Sequence, residues 1–245
     1  MQFDADNIPG RRPAMIEAGI WPDQTINDSL DTAVAAHPDR TALTAVRLQG
    51  DTLTMTYREL AGAADRTALG LRALGIQAGD VVAVQLPNWW EFTVTYLACA
   101  RIGAVMNPLM HIFRERELTF MLGHSEASVA IIPSTFRGHD YRAMYEGLRR
   151  ELPTLQHVIA VDDGPDGFAA RFTTPAWEEQ AGAAETLTAT RPTPDDITQL
   201  IYTSGTTGEP KGAMHSSNTL YSNIVPYAQR LDLGSDDVVL MASPM

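Results

Sequence analysis

The chain has 245 residues, 44% of them hydrophobic and 20% charged, which suits one large or two small soluble domains with a substantial core. A formal net charge of −12 argues against general nucleic-acid binding and against docking on anionic lipid, although a nucleotide needs only a local cation. The lone cysteine, Cys99, rules out an internal disulfide and a cysteine metal cluster, and its neighbours Tyr96, Leu97 and Ala100 place it in an apolar helical core. No basic start leads into an apolar run, and the apolar runs are too short to span a bilayer, so a cytoplasmic location is the expectation.

In chain order, residues 1–25 read as irregular, with Pro9, Pro13 and Pro22 and few apolar positions in phase. A helix is predicted over 27–36, stopping before Pro38. Residues 42–48 and 52–56 read as a hairpin around Gly50-Asp51. Thr56 followed by Glu59 predicts a capping box, after which Leu60, Ala64, Ala68, Leu71 and Leu74 share one helical face until Gly75. Short apolar runs at 81–86, 104–107, 129–132 and 158–161 predict buried parallel strands. Helices are predicted between them over 89–101, 114–123 and 141–152. This alternation predicts an α/β fold of βαβ units, with mainly parallel strands flanked by helices. Residues 162–194 read as a long connecting loop. A strand at 198–202, a returning strand at 212–215, a helix capped by Ser216 or Ser217 and carrying Pro226, and a last strand at 238–242 complete the reading.

The segment 202–212 reads YTSGTTGEPKG. Its glycines let the backbone turn through positive φ and bring N–H groups close to an anion. Ser204, Thr206 and Thr207 add hydroxyl donors, one loop hydroxyl is available to a magnesium ion, and Lys211 brings a full positive charge. Each hydrogen bond to a charged phosphate contributes about 1.5–3 kcal/mol. The Walker pattern GxxxxGK[ST] fails here: its second glycine falls on Pro210, which has no N–H, and Lys211 is followed by Gly212. A plain Gly/Thr-rich surface turn is the bland alternative. Glu209 is expected to point to solvent, since a carboxylate beside a triphosphate repels it.

Other candidates weigh differently. Asn88, Trp89 and Trp90 follow a strand end, where ligands gather in α/β sheets, but packing beneath the sheet is the favoured account of the tryptophans. Met106, Asn107 and Pro108 sit at a similar strand end. His111 and His124 have no second ligand at metal spacing. Residues 114–117 read as the first turn of a solvated helix. His215 is close enough to the loop to approach a nucleotide, or else faces the sheet.

The stretch YTSGTTGEPKGAMHSS resembles the phosphate-binding signature of the adenylate-forming enzymes. LTMTYRELAGAADRTALGLRALGIQAGDVVAVQLPNWWEF and CARIGAVMNPLMHIFRERELTFML are similar to the family's preceding segments, and look most like its acyl-CoA synthetase branch. The resemblance runs from about residue 28 to 245. It implies Mg·ATP-dependent activation of a carboxylic acid to an acyl-adenylate, as in fatty-acid–CoA ligases, then transfer to the thiol of coenzyme A. It also implies that Thr203, Ser204, Gly205, Thr206, Thr207, Gly208 and Lys211 bind the nucleotide. Thr207 and Lys211 would stabilise the phosphates, and Thr203 or Thr206 would meet magnesium. By the same resemblance the chain divides into an extension (1–26), a first α/β subdomain (27–190) and the start of a second (191–245). The family's catalytic lysine and small C-terminal domain have no counterpart here, so the sequence is expected to be an N-terminal portion, inactive alone. A non-catalytic nucleotide- or partner-binding remnant and a peptide-synthetase adenylation domain are the competing readings.

Overall fold

The computed structural model describes residues 7–47, 50, 52–162, 164–203 and 210–243. In chain order the elements are α1 (Asn7–Glu17), α2 (Ile26–Ala36), β1 (Thr41–Val46), β2 (Thr52–Thr56), α3 (Tyr57–Ala73), β3 (Val81–Val84), α4 (Trp90–Ile102), β4 (Val105–Pro108) and α5 (Glu115–Ser125). There follow β5 (Val129–Ile132), β6 (Thr135–Phe136), β7 (His139–Asp140), α6 (Tyr141–Glu151), β8 (His157–Ala160), α7 (Phe168–Phe172), α8 (Ala183–Ala189), β9 (Ile197–Thr203), β10 (Lys211–Ser216) and α9 (Ser217–Arg230).

The main sheet has six strands in the order β10-β9-β4-β3-β5-β8, with β1-β2 and β6-β7 as separate hairpins. Strands β9, β4, β3, β5 and β8 are mutually parallel, and only β10 runs against its neighbour β9. Both faces are covered, so the central strands are apolar throughout. Val82 and Val84 join a core with α3, α4 and α7, while Val81 and Ala83 join a second core with α5 and α6.

Local rules explain most boundaries. Thr56 Oγ1 accepts from Glu59 N at 3.2 Å and the Glu59 carboxylate accepts from Thr56 N at 2.8 Å, which closes the predicted box. Leu60, Ala64, Ala68 and Leu71 are buried as their spacing requires, Leu74 is half-buried, and Gly75 takes φ +91° just past the helix. Ser216 caps α9, which carries Pro226 in its interior.

Three expectations fail. Residues 7–17 form a helix despite Pro13, because tertiary contacts hold it: Ile8, Met15 and Ile16 pack on the second core, and Arg12 donates to Asp195 at 2.6 Å. The stretch 162–194 is not a plain loop. It carries α7 and α8 and two single 3₁₀ turns, and Phe168 and Phe172 fill the first core. Residues 238–242 are not a strand among the described residues. No neighbouring strand pairs with them, Val238 is 95% exposed, and their order comes instead from Asn88, whose amide donates to the Met241 and Ser243 carbonyls at 3.0 and 2.8 Å.

A buried cation joins the helices. Arg101 on α4 donates to Asp31 on α2 at 2.7 Å and to Asp65 on α3 at 2.8 Å. Arg191, just before β9, reaches Asp28 and Asp31 at 2.6 and 2.7 Å. The α3 cap is the simplest local device to test: Thr56→Ala is expected to lower unfolding free energy by about 1 kcal/mol in chemical denaturation, with the two-state slope unchanged.

Candidate functional site

Parallel pairing sends the carboxyl ends of β9, β4, β3, β5 and β8 to one edge of the sheet. The described segments leaving that edge are 85–90, 109–114, 133–140 and 161–162, and β9 ends there at Thr203. Among the described residues, Asn88, Trp89, His111 and Thr203 therefore fall on this rim.

The stem of the 204–209 loop is described on both sides. Thr203 ends β9 and lies opposite Lys211, the first residue of β10, and both are exposed. The Thr203 hydroxyl donates to the Lys211 carbonyl at 3.4 Å, a long contact that leaves its oxygen lone pairs open to a ligand. That exposure fits an alcohol ligand to a phosphate-borne magnesium, which takes few protein ligands. Tyr202 is buried opposite Gly212. A Cβ at Gly212 would stand 2.9 Å from Leu200 Cδ1 and 3.5 Å from Tyr202 Cε1, so a larger residue there would displace the Leu200 side chain. Ser204, Gly205, Thr206, Thr207, Gly208 and Glu209 lie outside the described residues.

His215 sits within β10 opposite Gln199, half-buried, where desolvation holds its imidazole below the usual range. Cys99 is fully buried and its thiol is pushed up to about 12 by burial, so it is held as a neutral core side chain. Asn107 is fully buried at the end of β4 and its amide donates to Ser125 Oγ at 3.4 Å. Arg114 caps α5 with Glu117, whose carboxylate accepts from Arg114 N at 3.1 Å. His111 stacks edge-on against Phe136, and His124 lies 2.8 Å by Nδ1 from the Tyr202 hydroxyl.

Farther along the same rim, beside β5 and β8, is a cleft of about 710 Å³ lined by Arg47, Trp89, Phe136, Arg137, Gly138 and Asp162. Trp89 and Trp90 are half-buried against the first core, as packing predicts, but Trp89 also forms a wall of this cleft. Arg47 lies over the Trp89 ring at 4.2 Å, and Arg137 lies over Phe136 at 5.3 Å. Arg137 occupies a left-handed conformation (φ 50°) in the two-residue turn between β6 and β7, ahead of Gly138 (φ 77°). The Arg-Gly pair at 137–138 was the available sequence signal for this turn. A cavity of about 580 Å³ opens at the opposite edge, around Gly79, Gly103 and Asp196, and holds none of the predicted residues.

Glu91, in the first turn of α4, pairs with Arg47, while its Oε2 is buried without a partner among the described residues. Desolvation outweighs the pull of Arg47 and pushes the carboxyl up to about 7. The folded state thus holds this proton more tightly than the unfolded chain does. Its stabilisation is complete below the ordinary carboxylate value and is lost as pH rises through about 7. Glu91→Gln is expected to flatten the fall in stability between about pH 5 and 8, measured by denaturation at a series of pH values. Parallel profiles for the two proteins would contradict the assignment.

The AMP-binding enzyme family model matches residues 30–245. The chain is 35% identical over 235 residues to the medium-chain fatty-acid–CoA ligase of Escherichia coli (strain K12), a match covering 96% of this chain and 40% of that protein. It is 32% identical over 240 residues to the salicyl-AMP ligase / salicyl-S-ArCP synthetase of Mycobacterium tuberculosis (strain ATCC 25618 / H37Rv), covering 98% and 40%. Among solved structures, apo MbtA of Mycobacterium smegmatis matches with a TM-score of 0.73 at 32% identity, over 97% of this chain and 41% of that one. The chain spans about 40% of the length of these curated relatives. Among the described residues, no helix is long and apolar enough to cross a membrane.

Proposed function

Because the chain belongs to the AMP-binding enzyme family, we propose that the full-length protein is an AMP-forming ligase that activates a carboxylic acid with ATP and delivers the acyl group to the thiol of coenzyme A. The observation that carries this reading is the sequence YTSGTTGEPKG at 202–212, whose described flanks Thr203 and Lys211 are paired and exposed at the ends of β9 and β10.

In the first step a carboxylate oxygen attacks the α-phosphorus and pyrophosphate leaves. Two anions must approach, so the protein's task is to spread the β- and γ-phosphate charge and fix the leaving group in line. Backbone N–H groups at Gly205 and Gly208, the hydroxyls of Ser204, Thr206 and Thr207, and the ammonium of Lys211 supply donors for this. The hydroxyl of Thr203 or Thr206 would hold a magnesium ion bound with the nucleotide, which would neutralise further phosphate charge. In the second step the thiol sulfur attacks the acyl carbonyl, AMP departs and the thiol proton is released. The 35% identity to a fatty-acid–CoA ligase supports coenzyme A as acceptor.

A second reading, transfer to a carrier-protein thiol, draws on the likeness to the salicyl-S-ArCP synthetase. Product analysis with free coenzyme A separates the two, since a carrier-dependent enzyme leaves the acyl-adenylate unconsumed.

For the loop itself, Thr207→Ala and Lys211→Ala in the full-length protein are each expected to lower carboxylate-dependent ATP–pyrophosphate exchange by about 10²–10³. Exchange at the parent rate in both variants would contradict the phosphate role.

A further inference from the structure

We propose that His124 is a positioning residue for the phosphate loop, acting through Tyr202. The inference rests on the reading of residues 204–209 as that loop.

Tyr202 is the penultimate residue of β9, one position before Thr203 and two before the loop. Its ring is buried in the second core, and its hydroxyl stands 2.8 Å from His124 Nδ1 on the last turn of α5. Phe120, one helical turn earlier, stacks on His124 with centroids 5.5 Å apart and meets the Tyr202 ring edge-on at 6.3 Å. The imidazole is therefore held between a ring that orients it and a phenol that it tethers. Burial pushes the phenol up to about 12, so Tyr202 stays a neutral O–H able to donate to the imidazole. On the other side of the stem, β10 pairs with β9 through Gly212 opposite Tyr202. The brace thus fastens β9, and β10 through its pairing with β9, to a helix of the sheet's covering layer.

The mechanical reason for a brace is entropic. Ordering each glycine-rich loop residue costs about 1–2 kcal/mol, and donors misplaced by fractions of an ångström lose much of their effect. A stem fixed by packing alone still permits the ring of Tyr202 to slide along the core. A directional bond to His124 removes that freedom.

The test is steady-state ATP–pyrophosphate exchange in the full-length protein for Tyr202→Phe, His124→Leu, His124→Asn and the Tyr202→Phe/His124→Leu double variant. Tyr202→Phe and His124→Leu are expected to lower kcat/KM for ATP by about three- to tenfold each, the scale of one hydrogen bond. The KM for the carboxylic acid should stay at the parent value. The double variant should be no worse than the more damaged single variant. His124→Asn should recover most of the loss, because its amide restores a hydrogen-bonding partner for the phenol. Single variants at parent values, additive losses, or a failure of His124→Asn to recover would overturn the proposal. If Lys211→Ala is silent, the loop reading itself fails. If Lys211→Ala is damaging while Tyr202→Phe and His124→Leu are silent, only the role of His124 fails.

Discussion

The parallel pairing of β9 with β4 decides at which edge of the sheet Thr203 and Lys211, the described flanks of the proposed phosphate loop, lie. That contact is short in register, with Met106 opposite Gln199, so backbone pairing alone holds it weakly. Burial does more: Ile197, Leu200 and Tyr202 insert into the core shared with α5 and α6, and each buried side chain of this size contributes about 1.5–3 kcal/mol. The entry to β9 is fastened separately, by Arg191 to the acids of α2 and by Arg12 to Asp195. Reversing the strand would send Thr203 to the far edge, away from the carboxyl ends of β3, β4, β5 and β8.

The chain carries a net charge of −12, yet individual cations stand along the rim, among the carboxylates of Asp140, Asp162 and Glu91. Lys211 stands at the loop, and Arg47 and Arg137 stand over aromatic rings in the cleft beyond it. Local placement, not total charge, governs what such a surface binds. Glu91 illustrates the same principle from the other side: a carboxyl beside a guanidinium is still driven toward its neutral form when burial is deep enough.

Features set by near neighbours were legible in the sequence. The Thr56–Glu59 box, the stop at Gly75, the short buried strands and the hairpin at 41–56 depend on residues within a few positions of one another. The helix over 7–17 was not legible, since contacts to Asp195 and the second core stabilise it against Pro13. Residues 238–242 misled in the opposite direction: their composition suits a strand, but a strand exists only beside a partner. The tie between His124 and Tyr202 spans 78 positions and follows no local spacing, so topology alone could bring it about. The chemistry of the site was carried by the order of residues in 202–212, a signal that needs no fold to be read.

The proposed role of residues 204–208 and Lys211 is to grip the phosphates of ATP. A crystal structure of the full-length protein with a non-hydrolysable ATP analogue tests it most directly. The account predicts the β- and γ-phosphate oxygens within hydrogen-bonding distance of the backbone and hydroxyls of residues 204–208 and of Lys211 Nζ. A nucleotide seated elsewhere, with the loop and Lys211 out of reach of its phosphates, would contradict it.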